Sequence, residues 1–259
     1  MIIDYIGYIA VGAVLVVLIL GLVNMFRGGS SNTSQKLMRW RVGLLAFGAM
    51  ALFAGVLAGL ARLGVAVPDA AAGMAALHGP LMIGGFFGTV IALERAVALG
   101  RRWAYVAPLA SGLSTLATFA GLAAAPWLLV AASVVLAAAT ADVFRRQRAL
   151  FTFTLLAGVA AWLAGNLAWA LGGPAHASTR PWLAFLVLTI AGERLELSRF
   201  LPPSPFAQRA FGAILATFAL AVTSALALPD APFATPLFGA ALVALAAWLG
   251  RQDVARRTV

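Results

Sequence analysis

The chain has no cysteine and only two histidines, His78 and His176. The absence of cysteine excludes disulfides, iron–sulfur clusters, thiolate zinc sites and covalently attached c-type haem. With two histidines, any metal or haem chemistry must be sparse or shared with a partner. Charge is scarce too: 10% of the 259 residues are charged and 63% are hydrophobic. No serine or threonine stands at nucleophile–base spacing, and no phosphate loop, dinucleotide fingerprint or zinc-protease motif is present. No enzyme is expected.

What is there instead is a series of apolar runs of about 20 residues, each enough to cross a hydrocarbon core of roughly 30 Å. Transmembrane barrels show short alternating segments, so the pattern predicts an all-α polytopic membrane protein. About nine spans are expected, at 5–25, 42–62, 74–98, 103–123, 127–144, 150–171, 182–200, 207–228 and 233–250. Turn-forming stretches separate them, among them RGGSSN at 27–32, GGP at 172–174, PPSP at 202–205 and PDAP at 229–232. The first run follows Asp4 rather than a basic segment, is too long for a signal-peptide core and has no small-residue cleavage site after it, so it reads as a span.

The net charge of +10 suggests nucleic acid until its distribution is followed. Sixteen of the 18 lysines and arginines fall on one side of the expected spans, after spans 1, 3 and 5, around the end of span 7 and in the tail; only Arg62 and Arg180 fall on the other. That asymmetry places the basic side in the cytoplasm, the N-terminus outside and the C-terminus inside, which needs an odd number of spans. The partners implied are anionic membrane lipids, and nucleic acid has no place.

An internal repeat runs through the chain. IALER at 91–95 returns as IAGER at 190–194, and LATFA at 116–120 returns at 215–219, both after 99 residues. Spans 3 and 7 run in the same direction, so the repeat is parallel: units 74–146 and 181–252 joined by a linker helix at 150–171, a 3+1+3 layout. Duplication without present functional symmetry accounts for the same pattern.

The repeat carries charge to costly places. At about 1.5 Å per residue, Glu193 lies roughly 18 Å into a helix that starts near Pro181. Glu94, Arg95, Glu193, Arg194 and Glu196 read either as an intramembrane cluster lining an inward vestibule or proton path, or as interfacial carboxylates neutralised by snorkelling arginines. His78 opens HGPLMIGGFFG, with Met82 on the same helix face and Gly84, Gly85 and Gly88 forming a thin packing surface. His78 with Met82 is a candidate haem or copper pair; the alternative is an interfacial histidine above a glycine seam. His176 stands one residue short of the repeat counterpart of His78, so the two would meet at the outer end. Asn166, between Trp162 and Trp169, is expected to hydrogen-bond between helices. Trp103, Tyr105, Trp127 and Trp182 sit at span ends as interfacial anchors do.

Two resemblances follow. NMFRGGSSNTSQKLMRWRV at 24–42, with the spans on either side, resembles the hypoxia-induced-domain family of two-span respiratory supercomplex factors. That family's pattern Gln-x3-Arg-x-Arg-x3-Gln falls on Gln35, Arg39 and Arg41, with Leu45 in place of the last glutamine. The resemblance implies that Gln35, Lys36, Arg39 and Arg41 contact lipid or cytochrome oxidase subunits from a cytoplasmic hairpin loop. Residues 60–205 are distantly similar to NnrS-like haem–copper proteins linked to nitric-oxide responses. The shared pattern is His-x3-Met-x2-Gly-Phe-x4-Ile, here His78, Met82, Gly85, Phe86 and Ile91, with a second echo in IAGERLELSRFLP at 190–202.

The expected organisation is a two-span hairpin at 1–63 fused to a seven-helix domain at 64–259, in a bacterial inner membrane. The first expected function is a non-catalytic factor for assembly or stability of a haem–copper respiratory oxidase or supercomplex. The alternatives are a proton-coupled carrier built on the parallel repeat and a haem- or copper-binding nitric-oxide-response protein.

Overall fold

The computed structural model describes residues 33–199, 203–228 and 231–252. Among them every regular element is helical: α1 (Thr33–Arg62), a short α2 (Asp69–Ala72), a 3-10 turn (Ala75–Leu77), a π-helix (Pro80–Phe87) continuing into α3 (Gly88–Leu99), a 3-10 turn (Arg102–Tyr105), α4 (Val106–Phe119), α5 (Ala125–Arg146), α6 (Leu150–Ala170), a 3-10 turn (Ala175–Ser178), α7 (Thr179–Leu197), α8 (Pro205–Ala227) and α9 (Ala234–Gln252). The expected first span at 5–25 lies outside the described residues.

Six of these helical stretches are long and apolar enough to cross a membrane: Trp40–Arg62, Pro80–Leu99, Ala125–Arg146, Leu150–Ala170, Pro205–Ala227 and Ala234–Gln252. The chain is a multi-pass membrane protein. Eight spans were expected over this region, and the two that fall short do so for different reasons. The 14 residues of α4 rise only about 21 Å. That helix ends at Phe119 because Gly121, at φ 64°, turns the chain away well before position 123. The other, α7, is long enough but carries Arg180, Glu193, Arg194 and Glu196.

The outer surface is apolar, unlike that of a water-soluble domain, and small polar side chains lie inside among the apolar ones. Leu109, Leu113, Val134, Leu183, Ile190, Leu220 and Val243 face outwards, while Thr89, Ser111, Ser114, Thr115, Ser133, Thr140 and Asn166 are buried. Several of the buried hydroxyls donate to a carbonyl one turn back, as Ser133 does to Leu129 and Thr140 to Leu136 at 2.9 Å each. Such pairing removes the cost of an unpaired polar group in hydrocarbon.

The central spine is the pair α6 and α7, which make the most extensive helix–helix contact. Close approach depends on glycine: a Cβ at Gly158 would lie 3.2 Å from Leu188, one at Gly165 2.8 Å from Trp182, and one at Gly192 2.6 Å from Leu155. On one side of the spine, α8 and α9 close a core around Phe151, Leu155, Phe211, Phe218, Phe238 and Trp248. On the other, the π-helix, α3, α4 and α5 close a second core around Leu129, Leu136, Trp162, Trp182 and Phe185.

Helix α1 begins nine residues before the expected span. Arg, Lys, Gln and Met all favour helix, and nothing between Thr33 and Val42 breaks it. Gln35, Lys36, Arg39 and Arg41 therefore lie on a helix, and the expected cytoplasmic loop is not one after residue 32. The buried stripe of α1, Leu44, Gly48, Ala51, Gly55 and Ala58, packs on the π-helix, α3 and α4. The second span of the expected hairpin is thus part of the main bundle's core.

Candidate functional site

Three features concentrate polar chemistry, and each is built where small residues let helices approach. The first is the groove of α1. A Cβ at Gly59 would stand 2.8 Å from Nδ1 of His78, and one at Gly55 2.7 Å from Sδ of Met82. The Gly-x3-Gly spacing thus receives both side chains. His78 Nδ1 lies 2.7 Å from the carbonyl oxygen of Gly55. A carbonyl only accepts, so Nδ1 carries the proton of this bond. His176 is exposed in the Ala175–Ser178 turn, which lies beside the Ala75–Leu77 turn. His78 and His176 therefore occupy the same end of the bundle. Among the described residues no group of three or more His, Cys, Asp and Glu is placed to hold a metal ion.

The second feature is the glycine seam. A π-helix offsets its hydrogen bonds by one residue and leaves carbonyls to be satisfied by side chains. Ser111 of α4 donates to the Gly84 carbonyl at 2.7 Å, and Thr89 donates to the Gly85 carbonyl at 2.6 Å. Built Cβ atoms would clash at Gly84 with Leu129, at Gly85 with Thr115 and Ala51, and at Gly88 with Trp162 and Ser111. Nearby, Asn166 ties three helices: its Nδ2 donates to the Leu129 carbonyl of α5 at 3.2 Å, and its Oδ1 accepts from Trp182 Nε1 of α7 at 2.9 Å.

The third feature is acidic. Glu94 of α3 and Glu193 and Glu196 of α7 line one open cavity of about 420 Å³, together with Leu197 and Arg199. Arg95 lies within Coulombic range of Glu193. The structure therefore brings together four of the five charges of the expected cluster, Glu94, Arg95, Glu193 and Glu196. Arg194 departs from them: it lines a separate cavity of about 520 Å³ between α7 and α9. The divergence follows from helix geometry, since adjacent residues point about 100° apart.

At the same end of α3, Arg41 of α1 donates from Nε to the hydroxyl of Tyr105 at 3.2 Å. Tyr105 reads in sequence as an interfacial anchor; its partner, 64 residues away, left no local signal. Arg199 in the acidic cavity was missed as well, being grouped with the basic cytoplasmic residues. The side chains of Gln35, Lys36 and Arg39 lie outside the described residues.

Residues 41–259 match the family described as Domain of unknown function (DUF8744). The chain belongs to this family. Its DUF8744 region begins within α1, so the helix that supplies the groove for His78 and Met82 is counted with the bundle it packs on. Residues 6–55 match the hypoxia induced protein conserved region. The two matches overlap at 41–55, on the turns of α1 that hold Arg41, Leu44, Gly48 and Ala51. No curated protein and no solved structure matches the DUF8744 chain.

Proposed function

We propose that the protein is a non-catalytic factor of a bacterial inner membrane that supports assembly or stability of a haem–copper respiratory oxidase or supercomplex. The observation that carries this reading is the match to the hypoxia induced protein conserved region, whose second half is welded to the DUF8744 bundle through α1. A partner gripping the first two spans would thereby grip the whole bundle. The proposed topology is nine spans, a two-helix hairpin and a seven-helix unit with a parallel 3+1+3 repeat, with the N-terminus outside. The one-sided distribution of arginine supports the orientation, and the shared cavity of Glu94 and Glu193 supports the repeat. Gln35, Lys36 and Arg39, on the first turns of α1, are the proposed contacts for oxidase subunits and lipid. Exposed Trp40, at 69%, continues that surface. Tagged protein extracted in mild detergent should co-purify haem–copper oxidase subunits, and the yield should fall in the Q35A/R39A variant. Extracts without any oxidase subunit overturn the reading.

A second reading rests on the acidic cavity. Carboxylates from both repeats at one end of the bundle suit a proton-coupled carrier, with Glu94, Glu193 and Glu196 as the titrating groups. Reconstituted vesicles should then accumulate solute with a proton gradient, and Glu193→Gln should abolish it. Uptake that survives Glu193→Gln removes this second reading.

A further inference from the structure

Beside the acidic cavity, and meeting it at Leu197, a second cavity at the cytoplasmic end lies between α7 and α9. Its polar atoms come from Arg194, Ser198 and Gln252, its apolar wall from Ile190, Leu197 and Trp248. We infer that this cavity binds an anionic glycerophospholipid, its phosphodiester at Arg194 and the start of an acyl chain against Ile190, Leu197 and Trp248.

Three observations converge on that occupant. First, among the described residues the lining has one cation and no carboxylate, so its charge is matched by an anion, and an ammonium headgroup has no counter-charge to meet there. The carbonyl ends of α7 and α9 oppose an anion with about half a charge each. Part of that opposition is cancelled: the Arg194 carbonyl accepts from the Ser198 N–H at 3.2 Å and the Glu196 carbonyl from the Arg199 N–H at 3.2 Å. The full charge of Arg194, with Arg251 next to two lining residues, outweighs what is left. Second, the guanidinium is fork-shaped and suits a phosphate with two free oxygens. Third, the wall is continuous with the lipid-facing surface: Ile190 is 57% exposed and Leu197 74% exposed. A free phosphate would leave that wall unused.

The site is tested on the full-length protein by native mass spectrometry after exchange into equal mixtures of phosphatidylglycerol and phosphatidylcholine. Wild type should retain phosphatidylglycerol about fivefold over phosphatidylcholine, the factor that roughly 1 kcal/mol per basic residue at an anionic surface represents. Arg194→Gln should bring the ratio to about one. Gly250→Leu should reduce both adducts, because Gly250 lines the cavity and a Cβ there meets nothing within 4 Å, so the leucine fills it without strain. Arg101→Gln removes the same charge from an exposed position that does not line the cavity, and should leave the ratio at the wild-type value. An equal ratio in wild type, an unchanged ratio in Arg194→Gln, or displacement of the lipid by inorganic phosphate overturns the assignment.

Discussion

Glu94 and Glu193 stand 99 positions apart in the chain and line the same cavity. Each opens a Glu-Arg pair of its own helix, and Glu196 joins them one turn further along α7. Three carboxylates around one opening repel each other, and Glu193, half-buried as Glu196 is, feels both others. Glu193→Gln is therefore expected to stabilise the folded protein at neutral pH. Surface-like charge pairs are worth roughly 0.2–1 kcal/mol, so the melting temperature in detergent should rise by about 1–4 °C. Arg95→Gln should shift it the other way. A lower melting temperature for Glu193→Gln would show that attraction to the cavity's arginines, not repulsion, governs the cluster.

Asn166 is the polar keystone of the core around Leu129, Trp162 and Trp182. It is fully buried and bridges α5 and α7 from α6. Asn166→Leu keeps the volume but removes an acceptor from Trp182, whose Nε1 would then be buried without a partner. The expected cost is about 1–3 kcal/mol, at the upper end of what interhelical hydrogen bonds in membranes provide. Thermal unfolding followed by tryptophan emission measures it, since Trp182 and its edge-on neighbour Trp169 report on the same site. An unchanged melting temperature would mean that the bundle repacks around leucine without loss.

What could be read before the structure was known depended on how local the cause was. Helices α5, α6, α8 and α9 end within about two residues of the runs expected for them, because apolar length and flanking Gly and Pro are local signals. The meeting of Glu94 and Glu193 was approachable through the 99-residue interval. The π-helix at Pro80–Phe87 was not: its offset depends on Ser111 and Thr89 being present to take the Gly84 and Gly85 carbonyls. Nor was the early start of α1, where arginines that read as the edge of a span also favour helix. Gly55 and Gly59 went unread in the sequence, and only the coordinates show that Met82 and His78 fill the groove they leave. His78 thus reads as a candidate ligand in sequence and as a helix clamp in the fold.

Arg41 and Tyr105 join the region of the hypoxia induced match to the turn between α3 and α4. Both side chains are half-buried, so the bond is shielded without being dry. Tyr105→Phe and Arg41→Gln should each lower stability by about 0.5–1.5 kcal/mol. Their double variant should cost less than the sum, with a coupling of at least about 0.5 kcal/mol. Amide exchange along the first turns of α1 should accelerate equally in all three. Strict additivity would show that the two groups act independently and that α1 is held by its glycine stripe alone.

The clamp at His78 gives a prediction with a characteristic sign. A Cβ at Gly59 meets the imidazole at 2.8 Å, so Gly59→Ala forces the ring away and breaks the bond from Nδ1 to the Gly55 carbonyl. Overpacking of this kind costs about 1–3 kcal/mol. His78→Ala loses the same bond and leaves space at the same place. In the double variant the new methyl occupies the space the ring has left, so the second substitution should cost little and can even restore stability, a coupling of about 0.5–3 kcal/mol. Melting temperatures of the two single variants and the double variant measure it. A histidine whose contribution came from a bound metal or haem would behave differently: Gly59→Ala would not be relieved by removing the ligand, and His78→Ala would change the visible spectrum. Rescue of Gly59→Ala by His78→Ala, with spectra of the variants superimposable on wild type, identifies packing against α1 as the work of this residue.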